Sequence, residues 1–200
     1  MIKNIILDFG DIFINLDKAA TANAMLPFGF KEITPELDYL FKTYEKGNVS
    51  SEEFLSIVSK HFPSATQSEL IQAWNAILLD FPIHRLDFVE QLAQDNTHRL
   101  FLLSNTNDIH IEFVKQHMGM ENYNRFKNAF EVFYLSYEMG MRKPDTEIFE
   151  FVLQENRLNA SETLFVDDTK ENTDAAASLG INSWNLKVGA EDITQLKSRL

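Results

Sequence analysis

The sequence predicts an α/β fold: a parallel sheet flanked by helices, with a small all-helical segment inserted after the first strand. Three features predict it. A short apolar, β-branched run from Ile2 to Leu7 stops abruptly at Asp8. From about Ile14 to Phe81 apolar residues recur at helical spacing, with no strand among them. After Pro82, strand-like runs alternate with helical stretches of about ten residues, the pattern of consecutive βα units.

The run from Ile2 to Leu7 suits a strand covered by helices on both faces. In the inserted segment, helices are expected over Lys18–Met25, Glu36–Lys46, Ser51–Lys60 and Ser68–Leu79. Pro27-Phe28-Gly29, Gly47-Asn48 and Phe62-Pro63-Ser64 separate them. Ser50 or Ser51, with Glu52 and Glu53 behind it, has the form of a helix cap. Phe54, Leu55 and Val58 then follow at apolar spacings of three and four. Phe41, Phe54 and Phe62 either line a pocket or fill the segment's own core. Helical stripes of this kind are usually core, so core is the preferred reading.

Beyond Pro82 the expected order is helix Arg85–Gln94, strand Arg99–Leu103, helix Asp108–His117 and strand Val132–Leu135. Helix Asp145–Gln154, strand Leu164–Val166, helix Asn172–Leu179 and strand Ile181–Asn185 complete it, with Gly180 as a helix cap. No internal repeat or low-complexity segment interrupts the series. Polar clusters fall at strand ends: Asp8, Ser104-Asn105 and Asp167-Asp168. In parallel sheets that edge is where ligands bind.

Two hundred residues allow one domain with a modest insertion. With no cysteine, the chain has no disulfide, no thiolate-held zinc and no thiol catalysis, which fits a reducing, cytoplasmic setting. The five histidines, His61, His84, His98, His110 and His117, lack a metal-binding spacing and read as structural or surface residues. No apolar run approaches the ~18 residues a membrane span requires. A formal charge of −12 repels nucleic acid and anionic membranes. An anionic small substrate requires cations gathered at one site.

Asp8 either opens an ordinary turn or presents a carboxylate able to ligate a metal and attack phosphorus. Gly10 would let a backbone carbonyl face a cation. Asp167 and Asp168 either cap a helix or form, with Asp8, an all-oxygen site suited to Mg²⁺ rather than zinc. Lys143, stiffened by Pro144, is either a surface charge or the cation that offsets these carboxylates. Ser104 and Asn105 are turn residues or phosphate donors.

In this order the segments resemble the signatures of the haloacid dehalogenase-like hydrolases. They are Ile5-Ile6-Leu7-Asp8-Phe9-Gly10, Leu102-Leu103-Ser104-Asn105-Thr106-Asn107, Gly140-Met141-Arg142-Lys143-Pro144, and Phe165-Val166-Asp167-Asp168 with Asn172. Each is weak singly; together they span nearly the whole chain. The nearest likeness is to the bacterial sugar-phosphate phosphatase branch. It implies a Rossmann-like core, residues 1–14 and 82–200, and a helical cap, residues 15–81, hinged near Ile14–Leu16 and Asp80–Pro82.

The resemblance further implies that Asp8 is a nucleophile forming an aspartyl-phosphate. Mg²⁺ would be held by Asp8, the Gly10 carbonyl, Asp168 and Asp167. Ser104 and Asn105 would bind phosphoryl oxygens, and Lys143 would balance charge. One departure stands out: where most phosphatases of the superfamily carry an acid/base aspartate, this chain has Gly10. Asp11 is then the nearest replacement, followed by Asp17 or Glu45 of the cap. The expected function is Mg²⁺-dependent hydrolysis of a small phosphorylated metabolite, plausibly a sugar phosphate, by a monomer or weak homodimer. The alternatives are a weak or inactive phosphometabolite binder, a phosphomutase, and a metal-independent dehalogenase.

Overall fold

Five short strands form one sheet: β1 (Asn4–Leu7), β2 (Arg99–Ser104), β3 (Val132–Leu135), β4 (Thr163–Asp167) and β5 (Asn182–Asn185). The computed structural model describes all 200 residues. Every strand pair is parallel, and the order across the sheet is β3-β2-β1-β4-β5. Helices α1 (Ala20–Met25), α2 (Pro35–Glu45), α3 (Ser51–His61), α4 (Gln67–Asn75) and α5 (Ile83–Asp95) separate β1 from β2. Then α6 (Asp108–Met118) and α7 (Met120–Asn128) lead to β3, and α8 (Ser136–Met139) and α9 (Thr146–Glu155) to β4. Finally α10 (Lys170–Ser178) leads to β5.

The sheet is apolar on both faces because successive side chains alternate sides and each side has its own helices. Ile5, Leu7, Leu100, Leu102, Leu164 and Val166 pack with Leu86, Val89 and Leu92 of α5, Val114 of α6 and Phe126 of α7. The alternate residues Ile6, Phe101, Leu103 and Phe165 pack with Ile148, Phe149 and Val152 of α9 and Ala176 of α10. Each such side chain stabilises the fold by about 1.5–3 kcal/mol. Phe126 anchors the first side, its ring ringed by Phe9, Phe13, Phe81, Phe130 and Phe133 at centroid distances of 4.9 to 5.8 Å. Phe126→Ala would cost about 3–5 kcal/mol.

Helices α1 to α4 bury a separate cluster that includes Met25, Leu40, Tyr44, Phe54, Leu55, Phe62 and Leu70. The side chains of Thr34, Ser50 and Thr66 cap α2, α3 and α4, the last through a reciprocal bond with Glu69. Each cap stabilises its helix by about 1 kcal/mol.

Some expected boundaries moved. β1 begins at Asn4, and α4 ends at Asn75 instead of running on to Leu79. The reason is tertiary: the chain leaving the helical segment pairs with the chain entering it. Leu16 and Leu78 form an antiparallel bridge. Asn15 N–H donates to the Asp80 carbonyl, Leu79 N–H to that of Asn15, and Asp17 N–H to that of Ile77, each at 2.9 Å. Helix α7 is absent from the sequence reading, although Tyr123, Phe126 and Phe130 recur at its apolar spacing. No helix is long and apolar enough to cross a membrane.

Candidate active site

Asp8 follows β1 directly and Asp167 closes β4. Leu7 pairs with Val166 in the register, so the two aspartates stand level on neighbouring strands. The chain's direction of travel reverses between these strands, with β2 and β3 on one side and β5 on the other. A crevice opens at such a switch point, outside the strands' carboxyl ends.

Carboxylate oxygens of Asp8, Asp167 and Asp168 come within 4.8 Å of one another. Lys143, only 1% exposed, bridges two of them. Its Nζ donates to Asp8 Oδ1 at 2.6 Å and to Asp167 Oδ2 at 2.7 Å. The same ammonium lies 5.4 Å above the ring of Phe165, which occupies the strand position two before Asp167.

Lys143 is positioned by its main chain. Asn105 accepts from the Lys143 N–H through Oδ1 at 2.9 Å and donates from Nδ2 to the Lys143 carbonyl at 2.8 Å. The Lys143–Pro144 peptide is cis. Asp167 is held as firmly: its carboxylate also accepts from the Thr169 N–H at 2.8 Å and from Asn172 Nδ2 at 3.0 and 3.2 Å.

The opposite wall carries a cation that sequence reasoning passed over. Lys18 Nζ lies 2.5 Å from Asp168 Oδ2 and 3.1 Å from Asp11 Oδ2. Asp11, at a left-handed φ of 55° that aspartate tolerates, also accepts from the Leu16 N–H through Oδ1 at 3.0 Å. Its two oxygens thus fix the turn after β1 and hold Lys18. No sequence signal marks Lys18, because nothing in the spacing brings residue 18 to residue 168.

A cavity of about 400 Å³ opens over these groups, lined by Asp8, Gly10, Asn105, Lys143 and Asp168 together with Lys18, Lys42 and Arg142. Four cations thus converge on one site of a chain that carries −12 overall. Ser104 lines an adjoining cavity, Asp167 is fully enclosed beneath, and Asp11 lines neither. Asp17 accepts from the Ala19 N–H and serves the chain turn before α1. Glu45 lines the adjoining cavity and accepts from Arg142 Nε at 2.9 Å.

The electrostatics follow from burial. Loss of water lifts the Asp8 carboxyl above the ordinary carboxylate range and Asp167 pushes the same way, while Lys143 opposes both. Burial favours the neutral form of Lys143, but Asp167 and Asp8 outweigh it and raise the ammonium's pKa. Four carboxylates (Asp8, Asp11, Asp167, Asp168) face two ammoniums, Lys18 and Lys143. With Lys42 paired to Asp38 and Arg142 to Glu45, two formal negative charges remain in this bonded cluster, the charge that one divalent cation neutralises. An all-oxygen donor set at this spacing fits Mg²⁺.

The family model of the haloacid dehalogenase-like hydrolases matches residues 6–180. The chain belongs to this family. It is 29% identical over 197 residues to a D-ribitol-5-phosphate phosphatase of Bacteroides thetaiotaomicron, spanning 96% of this chain and 95% of that one. The HAD family enzyme bt-2542 of the same organism is 35% identical, with a TM-score of 0.85 over 98% of each chain. That enzyme has also been solved in complex with magnesium and inorganic phosphate. A predicted HAD-like hydrolase of Porphyromonas gingivalis superposes with a TM-score of 0.83 at 28% identity, covering 100% of this chain and 97% of that one. The parallel sheet and the four sequence segments at its carboxyl edge are thus those of a haloacid dehalogenase-like hydrolase.

Proposed function

We propose that this haloacid dehalogenase-like hydrolase is a Mg²⁺-dependent phosphatase that hydrolyses a small phosphorylated metabolite through an aspartyl-phosphate on Asp8. The observation that carries this reading is Asp8, Asp167 and Asp168 within 4.8 Å of one another, with Lys143 bonded to the first two. The resemblance to a D-ribitol-5-phosphate phosphatase supports a small phosphorylated metabolite as substrate.

Asp8, Asp168 and the Gly10 carbonyl would hold the metal, with Asp167 direct or through water. When bound, Mg²⁺ would draw charge from the transferring phosphoryl oxygens. Lys143 binds Asp8 through Oδ1, which leaves Oδ2 to attack phosphorus. The ester P–O bond breaks as the Asp8–phosphorus bond forms. Lys18, a protonated group on the cavity wall, donates a hydrogen bond to the departing oxygen, which takes a proton from solvent and leaves as the alcohol, the water that next attacks phosphorus returning a proton to solvent. Water then attacks phosphorus, releasing inorganic phosphate and restoring the Asp8 carboxylate. In this reading Ser104 and the backbone at Asn105 bind phosphoryl oxygens, while the Asn105 side chain positions Lys143. Asp11 positions Lys18 and does not itself meet substrate.

We further propose that residues 15–81 form a cap over a core of residues 1–14 and 82–200. The paired strands around Asn15 and Leu79 are its stem. A closed cap keeps water from the phosphoryl group until the leaving group departs.

Phosphate release from a panel of esters, with Mg²⁺, with chelator and with Asp8→Asn, tests the proposal. Turnover should need the metal and fall at least about 10³-fold in the variant. Metal-independent turnover, or an Asp8→Asn protein as active as wild type, would overturn it.

A further inference from the structure

The catalytic cavity does not end at the carboxylates. A middle cavity of about 200 Å³ shares Gly10, Leu16 and Asn105 with it. That middle cavity in turn shares Glu45, Ile77 and His110 with a third, of about 230 Å³, inside the helical segment. Lys18 lines both the first and the third. The three spaces adjoin one another in series from Asp8 into the cluster of α1 to α4.

The third cavity is apolar. Twelve of its sixteen lining residues are hydrophobic, with Phe30, Phe41, Phe54, Phe62 and Trp74 among them. The four others are Lys18, Thr21, Glu45 and His110, and each already makes at least one hydrogen bond or ion pair. Thr21 Oγ1 donates to the Trp74 carbonyl at 3.3 Å. His110 Nε2 lies 3.1 Å from the same carbonyl, which can only accept, so Nε2 carries the proton. Its Nδ1 then accepts from Asn107 Nδ2 at 3.1 Å. Glu45 is bound by Arg142, and Lys18 by Asp168 and Asp11. Trp74 Nε1 is taken by Asn107 Oδ1 at 3.2 Å.

A polyol body entering this space would shed its water against a wall of twelve apolar residues and find too few partners for its hydroxyls, which disfavours it. An alkyl or aromatic body would lose nothing and bury its surface. The volume exceeds the roughly 150 Å³ that accommodates a benzene ring. We propose that this cavity binds the leaving group of an apolar phosphomonoester, an alkyl or aryl phosphate whose hydrocarbon body is larger than a benzene ring. The inference rests on the phosphatase reading above and narrows its substrate class. The phenylalanines of the segment thus do two things: they build its core, and they leave a hollow in it.

The test is a chain-length series of linear alkyl phosphates, ethyl to decyl, beside sugar and polyol phosphates, with Mg²⁺. kcat/KM should rise roughly two- to fourfold per added methylene until the hollow is full, then level off. Ala22→Phe, which adds a ring to the cavity wall, should flatten that slope. Phe41→Ala, which enlarges the hollow, should move the plateau to longer chains. A flat wild-type series, or polyol phosphates preferred over octyl phosphate, overturns the inference while leaving the phosphatase intact. If no ester is hydrolysed, the phosphatase reading fails by itself. Titration calorimetry of the wild-type protein with Mg²⁺ then decides the cavity: octylphosphonate should bind at least tenfold tighter than methylphosphonate, and equal affinities overturn it.

Discussion

Lys143 reaches Asp8 from a different segment of the chain and places its ammonium 2.6 Å from Oδ1. With Asp167 Oδ2 at 2.7 Å on the same nitrogen, one cation holds two buried carboxylates at the sheet's edge. Lys143→Met would leave those charges facing each other, an arrangement that costs about 3–5 kcal/mol. The expected result is no turnover and a Tm lowered by roughly 10 °C. Added Mg²⁺ should raise the variant's Tm more than the wild type's, since a metal supplies the missing positive charge. Calorimetric melting with and without Mg²⁺ checks this; an unchanged Tm would show that the pair contributes little.

Lys18 shares Asp168 Oδ2 with any cation bound there. Like charges so close oppose each other, so Lys18→Met should tighten Mg²⁺ binding by roughly 3–10-fold. It should also slow turnover, because the leaving oxygen loses its donor. Weaker Mg²⁺ binding by calorimetry would contradict the first expectation, and a kcat equal to wild type the second.

Gly10 stands two residues after Asp8, where the sequence resemblance leads one to expect an acid/base aspartate. A Cβ there would lie 2.9 Å from Leu16 Cδ1, closer than side chains normally approach. Gly10→Ala should therefore cost about 1 kcal/mol, and less in a Leu16→Ala background. A double-mutant cycle in urea measures the coupling. Additive effects would mean that Leu16 does not guard this position.

His110 is half-buried beneath the helical segment, and loss of water lowers its pKa to about 4, the Trp74 carbonyl only partly opposing this. The unfolded chain takes up this proton near the ordinary value of ~6.5, whereas the folded chain waits until about 4. The stability tied to His110 is therefore complete above that upper value and is lost as pH falls through the window between the two. The loss should reach roughly 2–3 kcal/mol. His110→Gln should show a shallower decline than wild type between pH 6.5 and 4 by urea unfolding. Parallel curves would place the acid sensitivity elsewhere.

Sequence alone determined the strand ends and the residues that stand on them. The apolar runs ending at Leu7 and Val166 make parallel strands buried on both faces, and the aspartates that follow must then emerge at the carboxyl edge. Local patterning carried that information, because period and turn chemistry are properties of neighbouring residues. Side-chain partners across the fold were not legible in it. Asn105 looked like a donor to phosphate, yet its amide is engaged by the Lys143 main chain. Nothing in the local pattern sets Lys18 apart, and only folding places it against Asp168. Phe41, Phe54 and Phe62 had the spacing of a core, and spacing does not say whether that core is filled or hollow. Those outcomes depend on how elements distant in the chain pack together, and only the tertiary structure decided them.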